Sequence, residues 1–118
     1  MQTTHKIHFS LAQKMQELAD ASVDFVLTSP PYPMIEMWDE IMNGQDGNIQ
    51  ELIAKNKGSE AFELMHRELD KVWNEVDRVM KNGGFVCVNI GDATRNLSVF
   101  FKCVQMIPEL YLIFQRKD

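Results

Sequence analysis

The chain has 118 residues, 45% hydrophobic and 25% charged, the balance of a soluble globular protein with one modest core. Its formal net charge of -5 is the wrong sign for a free-standing nucleic-acid binder, which needs a basic face against phosphates. No apolar run reaches membrane-spanning length and the N-terminus has no signal-peptide pattern, so a cytoplasmic protein is expected. Cys87 and Cys103 sit inside apolar runs and read as small core residues, not as a disulfide pair or metal ligands.

In chain order, Thr3 to Phe9 alternates loosely and suits a short strand. Ser10 then opens a helical pattern with Leu11, Met15 and Leu18 on one face, and Ser10-x-x-Gln13 has the form of a capping box. The stretch around which the chain is organised follows: Asp24-Phe25-Val26-Leu27-Thr28-Ser29-Pro30-Pro31-Tyr32. Phe25 to Leu27 shows no polar alternation, which predicts a strand covered on both faces in a parallel sheet. It stops at two prolines that cannot donate ladder hydrogen bonds and that stiffen the residues before them. The carbonyls of Ser29 and Pro30 meet ring nitrogens without N–H groups and so are left as free acceptors, flanked by the Ser29 hydroxyl and the Tyr32 ring. Such acceptors beside an aromatic ring, at the carboxyl end of a parallel strand, suit the gripping of a flat heterocycle by its amino group. The same residues also suit a simple strand-terminating turn.

Pro33 to Met42 predicts a short covered helix with Pro33 in its first position, packed over the sheet edge or acting as a lid with Trp38 as a stacking platform. Asn43 to Asn48 is polar and turn-rich, the segment expected to be disordered, and Ile49 to Lys57 suggests another short helix. Ser59 to Met80 is the clearest helix, with Phe62, Met65, Leu69, Val72, Trp73, Val76, Val79 and Met80 forming an apolar stripe. Ser59 is its expected N-cap, Glu63–Arg67 and Asp77–Lys81 are its supporting pairs, His66 is expected in solvent, and Asn82-Gly83-Gly84 is expected to end it. Gly84 to Ile90 reads as a second buried strand, parallel to the first, which brings Asn89, Gly91 and Asp92 to the edge that carries Ser29 and Tyr32. For Asp92 a functional and a turn-forming role stay open. Ser98 to Val104 is apolar, and Leu110 to Phe114 suggests one more strand.

Ser22-Val23-Asp24, Thr28-Ser29-Pro30-Pro31-Tyr32 and Lys81-Asn82-Gly83-Gly84-Phe85 through Asp92 together resemble the amino-group DNA methyltransferases, in the order that family shows, from about His8 to Arg95. The resemblance implies an α/β, partial Rossmann-like S-adenosylmethionine-dependent fold, a parallel sheet with crossover helices, in a single and partial catalytic domain over 1–118. It implies methyl transfer to an exocyclic amino group of a flipped DNA base, with Ser29, Pro30, Pro31 and Tyr32 catalytic and Ser10, Thr28 and Asp92 on the cofactor side. Ser at the first motif position resembles the N4-cytosine enzymes more than the N6-adenine ones. Two departures stand out. Phe9-Ser10 occupies the place of the family's Gly-Asp, and the Phe-x-Gly-x-Gly loop that holds S-adenosylmethionine in the family occurs nowhere in the sequence. The chain is therefore expected to be the catalytic-motif portion of such an enzyme, inactive alone and prone to self-associate or to be completed by a second chain. The competing expectation is a non-catalytic α/β interaction module.

Overall fold

The structure is a computed structural model that describes residues 1–91, 93–95 and 99–101, the last two stretches by their backbone alone. Strand β1 (Val23–Thr28) leads through a 3-10 turn (Glu36–Trp38), helices α1 (Asp39–Gln45), α2 (Asn48–Ala54) and α3 (Gly58–Val79) to strand β2 (Met80–Val88). The two strands pair in parallel, with Phe25 opposite Phe85, Val26 opposite Val86, Leu27 opposite Cys87 and Thr28 opposite Val88. The expected α/β architecture with α3 as the crossover is therefore present. A further pair, β3 (Ala93–Arg95) and β4 (Val99–Phe101), is antiparallel.

Helix α3 forms because its apolar residues recur every three or four positions. Ala61, Met65, Leu69, Trp73 and Val76 lie on one stripe and are buried together with Met34, Met42, Ile49 and Met80. Four of these nine core residues are methionines, whose unbranched thioethers fill the irregular gap between helices and sheet. Lys57, not Ser59, occupies the N-cap position, and no side chain caps it. His66 is 5% exposed, not solvated as expected, with its ring edge-on to Phe62 at 4.4 Å.

The helix ends earlier than the glycines suggest. Met80 already has an extended backbone (ψ 135) and begins β2. Between the pairs Val23–Met80 and Phe25–Phe85 the register shifts, and the surplus residues of β2 form a bulge that contains Gly83 at φ 78. Gly84 is required there, because a Cβ would meet Met80 Cε at 2.5 Å and the Asp24 carbonyl oxygen at 2.9 Å. Lys81, expected to support the helix through Asp77, lies in this bulge and bridges Asp24 Oδ1 at 2.9 Å.

Burial of the strands differs from the expectation. Val23, Val26, Val86 and Val88 pack against the helical core. Phe25, Leu27 and Phe85 are 54%, 73% and 72% exposed, and Cys87 is exposed too. Side chains alternate across a strand, so helices on one face of the sheet bury only every second residue. The apolar run reported a strand fit for two covered faces, and the described residues cover one.

The N-terminal expectations also change. Residues 1–9 carry no strand, and the residues from Ser10 to Ala21 form turns in place of a helix. This segment is held by polar groups of α3. Arg78 donates to the carbonyls of Met15 (2.9 Å) and Leu18 (3.0 Å) and to Asp20 Oδ1 (2.7 Å), and Glu75 Oε2 accepts the Met15 amide at 2.6 Å. Gln13, expected in a capping box, donates to Glu68 Oε2 at 3.0 Å. The backbone of Ala21 and Ser22 then bonds to the carbonyls of Arg78 and Val79, which delivers the chain into β1.

Asn43 to Asn48, expected to be disordered, is instead the junction of α1 and α2. Asn43 Oδ1 accepts the Gln50 amide at 3.1 Å and Asp46 Oδ1 accepts the Asn48 amide at 3.0 Å. Among the described residues no helix is long and apolar enough to cross a membrane, and no group of three His, Cys, Asp or Glu is placed to hold a metal ion. Asp92, Cys103 and the strand suggested over Leu110–Phe114 lie outside the described residues.

Candidate active site at the carboxyl edge of the sheet

The last rung between the strands sets the site. The Thr28 carbonyl accepts the Asn89 amide at 2.9 Å, so the chain segments leaving β1 and β2 start side by side. From there β1 runs into Ser29-Pro30-Pro31-Tyr32. Ser29 is exposed, Pro30 is buried, and Pro31 and Tyr32 are half-buried. The two rings fix φ and supply no N–H, which stops the ladder and keeps this corner stiff.

Tyr32 begins a tight turn. Its carbonyl accepts the Ile35 amide at 3.2 Å, with Pro33 and Met34 as the central residues and Met34 at φ 68. Pro33 thus serves as the first central residue of a turn, where its fixed φ is well suited, and not as the first residue of a helix. Met34 is 1% exposed and its amide donates to the Sδ of Met65 at 3.2 Å, which anchors the far side of the motif to α3. Nothing in the residue types of Tyr32-Pro33-Met34 announced a left-handed methionine. The nearest sequence signal was the Pro33 that follows the motif.

On the open side, Ser29 Oγ lies 3.3 Å from Tyr32 Oη. A Cβ on Gly91 would come within 3.5 Å of Tyr32 Cε2, so the backbone after β2 passes beside the ring. The structure therefore gathers Thr28, Ser29, Tyr32, Asn89 and Gly91 at one edge. Ser10 is exposed in the N-terminal segment. Trp38 is half-buried at the end of the 3-10 turn. Beyond the motif, a cavity of about 490 Å³ is lined by Glu36, Asp39, Glu40, Asn43, Gln50, Ile53 and Ala54. Its three carboxylates make that surface unfavourable to phosphate.

The strongest electrostatic shifts lie away from this edge. Hydrogen bonds from Arg78 and from the Met15 amide hold Glu75 well below the usual carboxylate range, at about 2. Burial lowers His66 to about 4, which keeps its ring neutral near pH 7.

Comparison with known proteins identifies the family. A family described as DNA methylase matches residues 23–115. The type II methyltransferase M.MthZI of Methanothermobacter thermautotrophicus is 50% identical over 86% of this chain and 29% of its own length. The type II methyltransferase M.MjaI of Methanocaldococcus jannaschii is 46% identical over 85% of this chain and 37% of its own length. The chain thus spans about a third of the length of these relatives. No solved structure matches. The matched region includes both parallel strands, the crossover helix and the Ser29–Tyr32 corner: the chain belongs to the DNA methylase family.

Proposed function

We propose that Ser29 to Tyr32, with the backbone from Asn89 to Gly91, form the base-holding edge of a site-specific DNA methyltransferase. The enzyme transfers a methyl group from S-adenosylmethionine to an exocyclic amino group, N4 of cytosine in preference to N6 of adenine. The observation that carries this reading is the placement of an exposed Ser29 hydroxyl and a half-buried Tyr32 ring together at the carboxyl edge of a parallel sheet.

The chemistry asks little of the protein except position. The lone pair of a cytosine amino group is conjugated into the ring, which makes it a poor nucleophile. A base extruded from the duplex stacks on Tyr32. The Ser29 hydroxyl and the Pro30 carbonyl accept the amino protons, which favours localising the lone pair on nitrogen. This is proximity and electrostatics without a covalent intermediate. Cys87, exposed on the outer sheet face beside Leu27, is not called upon.

The residues described here do not by themselves fit the cofactor. Ser10 stands where the family resemblance calls for an acid, and it is an exposed neutral hydroxyl in the N-terminal segment. The sequence also offers no Phe-x-Gly-x-Gly loop for close backbone approach. We therefore assign to these residues the holding of the base and derive no step through the cofactor. Thr28, and Asp92 beyond the described residues, remain the proposed contacts on the cofactor side.

A nuclear magnetic resonance titration of the chain with a short single-stranded oligonucleotide containing one cytosine tests the reading. Backbone shifts at Ser29, Tyr32 and Gly91 are expected. Shifts confined to other regions, or none at millimolar ligand, would refute it.

A further inference from the structure

We propose that the Tyr32 hydroxyl is a positioning group that sets the polarity of the Ser29 hydroxyl, so that Ser29 presents only a lone pair to the amino group of the target base. The proposal rests on the base-holding role given above and adds a function for one atom of Tyr32 that ring stacking does not use.

A serine hydroxyl is ambivalent, with one donor and two acceptor lone pairs and free rotation about its C–O bond. Facing an amino group that has only protons to offer, a hydroxyl whose own proton points at the base repels what it should accept. Its proton needs another acceptor. Tyr32 Oη, 3.3 Å away, is the only hydrogen-bond partner of Ser29 Oγ among the described residues. The spacing exceeds the usual O–H···O separation of about 2.7–2.8 Å, as in many unliganded sites whose hydrogen bonds tighten on binding.

The backbone holds the pair together. Ser29 and Tyr32 are three residues apart across two prolines, whose fixed φ angles leave little freedom for the two side chains to drift. Beyond Tyr32, the turn anchored by Met34 on Met65 fixes the backbone that leaves the ring, and Gly91, in the segment that follows β2, lies beside the ring. With the base in place, the amino N–H donates to Ser29 Oγ, Ser29 O–H donates to Tyr32 Oη, and the phenol proton points to solvent. Chains with one direction of donation polarise each link, the one to the substrate included.

Tyr32→Phe separates the two functions, because phenylalanine keeps the stacking face and loses only the oxygen. The probes are two single-stranded oligonucleotides identical except for one base, cytosine in one and pyrimidin-2-one in the other, which is cytosine without its exocyclic amino group. Wild-type chain is expected to bind the cytosine oligonucleotide more tightly. Tyr32→Phe is expected to weaken cytosine binding by roughly 3- to 10-fold, in the range of one net hydrogen bond, and to leave pyrimidin-2-one binding unchanged. Ser29→Ala, a change at an exposed position, is expected to reduce the preference at least as much, with the Pro30 carbonyl keeping the remainder, and the double variant to be no weaker than Ser29→Ala. A Tyr32→Phe chain that keeps the full preference for cytosine overturns the proposal, and so do additive losses in the double variant. Wild-type chain that binds neither oligonucleotide, or does not distinguish them, refutes the base-holding role itself.

Discussion

The amide of Met34 donates to the Sδ of Met65 across 3.2 Å, tying the residue two positions after Tyr32 to the middle of the crossover helix. Met34 holds a left-handed backbone at φ 68, a conformation that costs a residue with a Cβ about 1–2 kcal/mol. It persists because the side chain is buried among Met42, Ile49 and Met65 in the same cluster. Strain beside the motif is thus offset by packing in the helical core.

Met34→Ala is expected to destabilise the chain by about 2–5 kcal/mol, the usual loss for truncating a buried methionine. Met34→Gly removes the same side chain and also relieves the left-handed strain, so it is expected to be no less stable than Met34→Ala. Urea denaturation of the three proteins checks this. A glycine variant clearly less stable than the alanine variant would show that the backbone at this position is not strained.

Arg78 and Glu75 fasten residues 15–20 to α3, so Arg78→Met is expected to open that segment to proteases while the far-ultraviolet circular dichroism changes little. Mass spectrometry of a limited trypsin digest reads the outcome through cleavage after Lys14. Glu75 is an acid whose folded value is lowered, to about 2. Its contribution is fully present above the ordinary carboxylate value of 4.5 and is lost as pH falls from there towards 2. The Met15 amide resonance, whose N–H Glu75 accepts, is therefore expected to shift over that interval in a nuclear magnetic resonance titration, and an unchanged digest of Arg78→Met at neutral pH would contradict the clamp.

His66 gives a second, separate pH dependence. Burial lowers its value from 6.5 to about 4, so the unfolded chain takes up the proton first. Stability is full above about 6.5 and declines as pH falls towards 4, by up to about 3 kcal/mol if the whole shift is expressed. His66→Met, which fills the same space without a titrating ring, is expected to flatten the stability profile across that window. An identical slope in both proteins would place the pH dependence elsewhere.

Phe25 beside Phe85 and Leu27 beside Cys87 make an exposed apolar strip on the sheet face away from α3. Self-association of the chain through this strip is expected, and sedimentation velocity reads it. Leu27→Lys is expected to shift the protein towards monomer with little loss of stability, because Leu27 is 73% exposed. Equal association by wild-type and variant chains would show that this face is not used.

The sequence made the strand-helix-strand unit legible because each part has a local cause. The stripe of α3 has its period, and the Ser29–Tyr32 corner has two prolines. The one-sided burial of Phe25 and Leu27 was not legible, because a strand reports in its composition the faces it is suited to cover, not those that are covered. His66 was misjudged because its charged neighbours on the helix, Arg67 and Asp70, point outwards while its own position follows the stripe of Phe62 and Met65. The N-terminal segment was misread as strand and helix because its order comes from Arg78, Glu75 and Glu68, some sixty residues away, and no local pattern encodes contacts of that range. Left-handed Met34 was hidden for a related reason, since the core that stabilises it is assembled from three helices.

The central claim is that Ser29 to Tyr32 hold a base for methylation while Thr28 and Asp92 alone do not make a working cofactor site. Incubation of the purified chain with radiolabelled S-adenosylmethionine and mixed-sequence DNA tests it most directly. With no glycine loop, Ser10 in place of an acid and a net charge of -5 opposing DNA, no label is expected in the DNA. Incorporation of label that Tyr32→Ala abolishes would contradict the account, because it would mean that the base-holding edge and a working cofactor site are both contained in this chain.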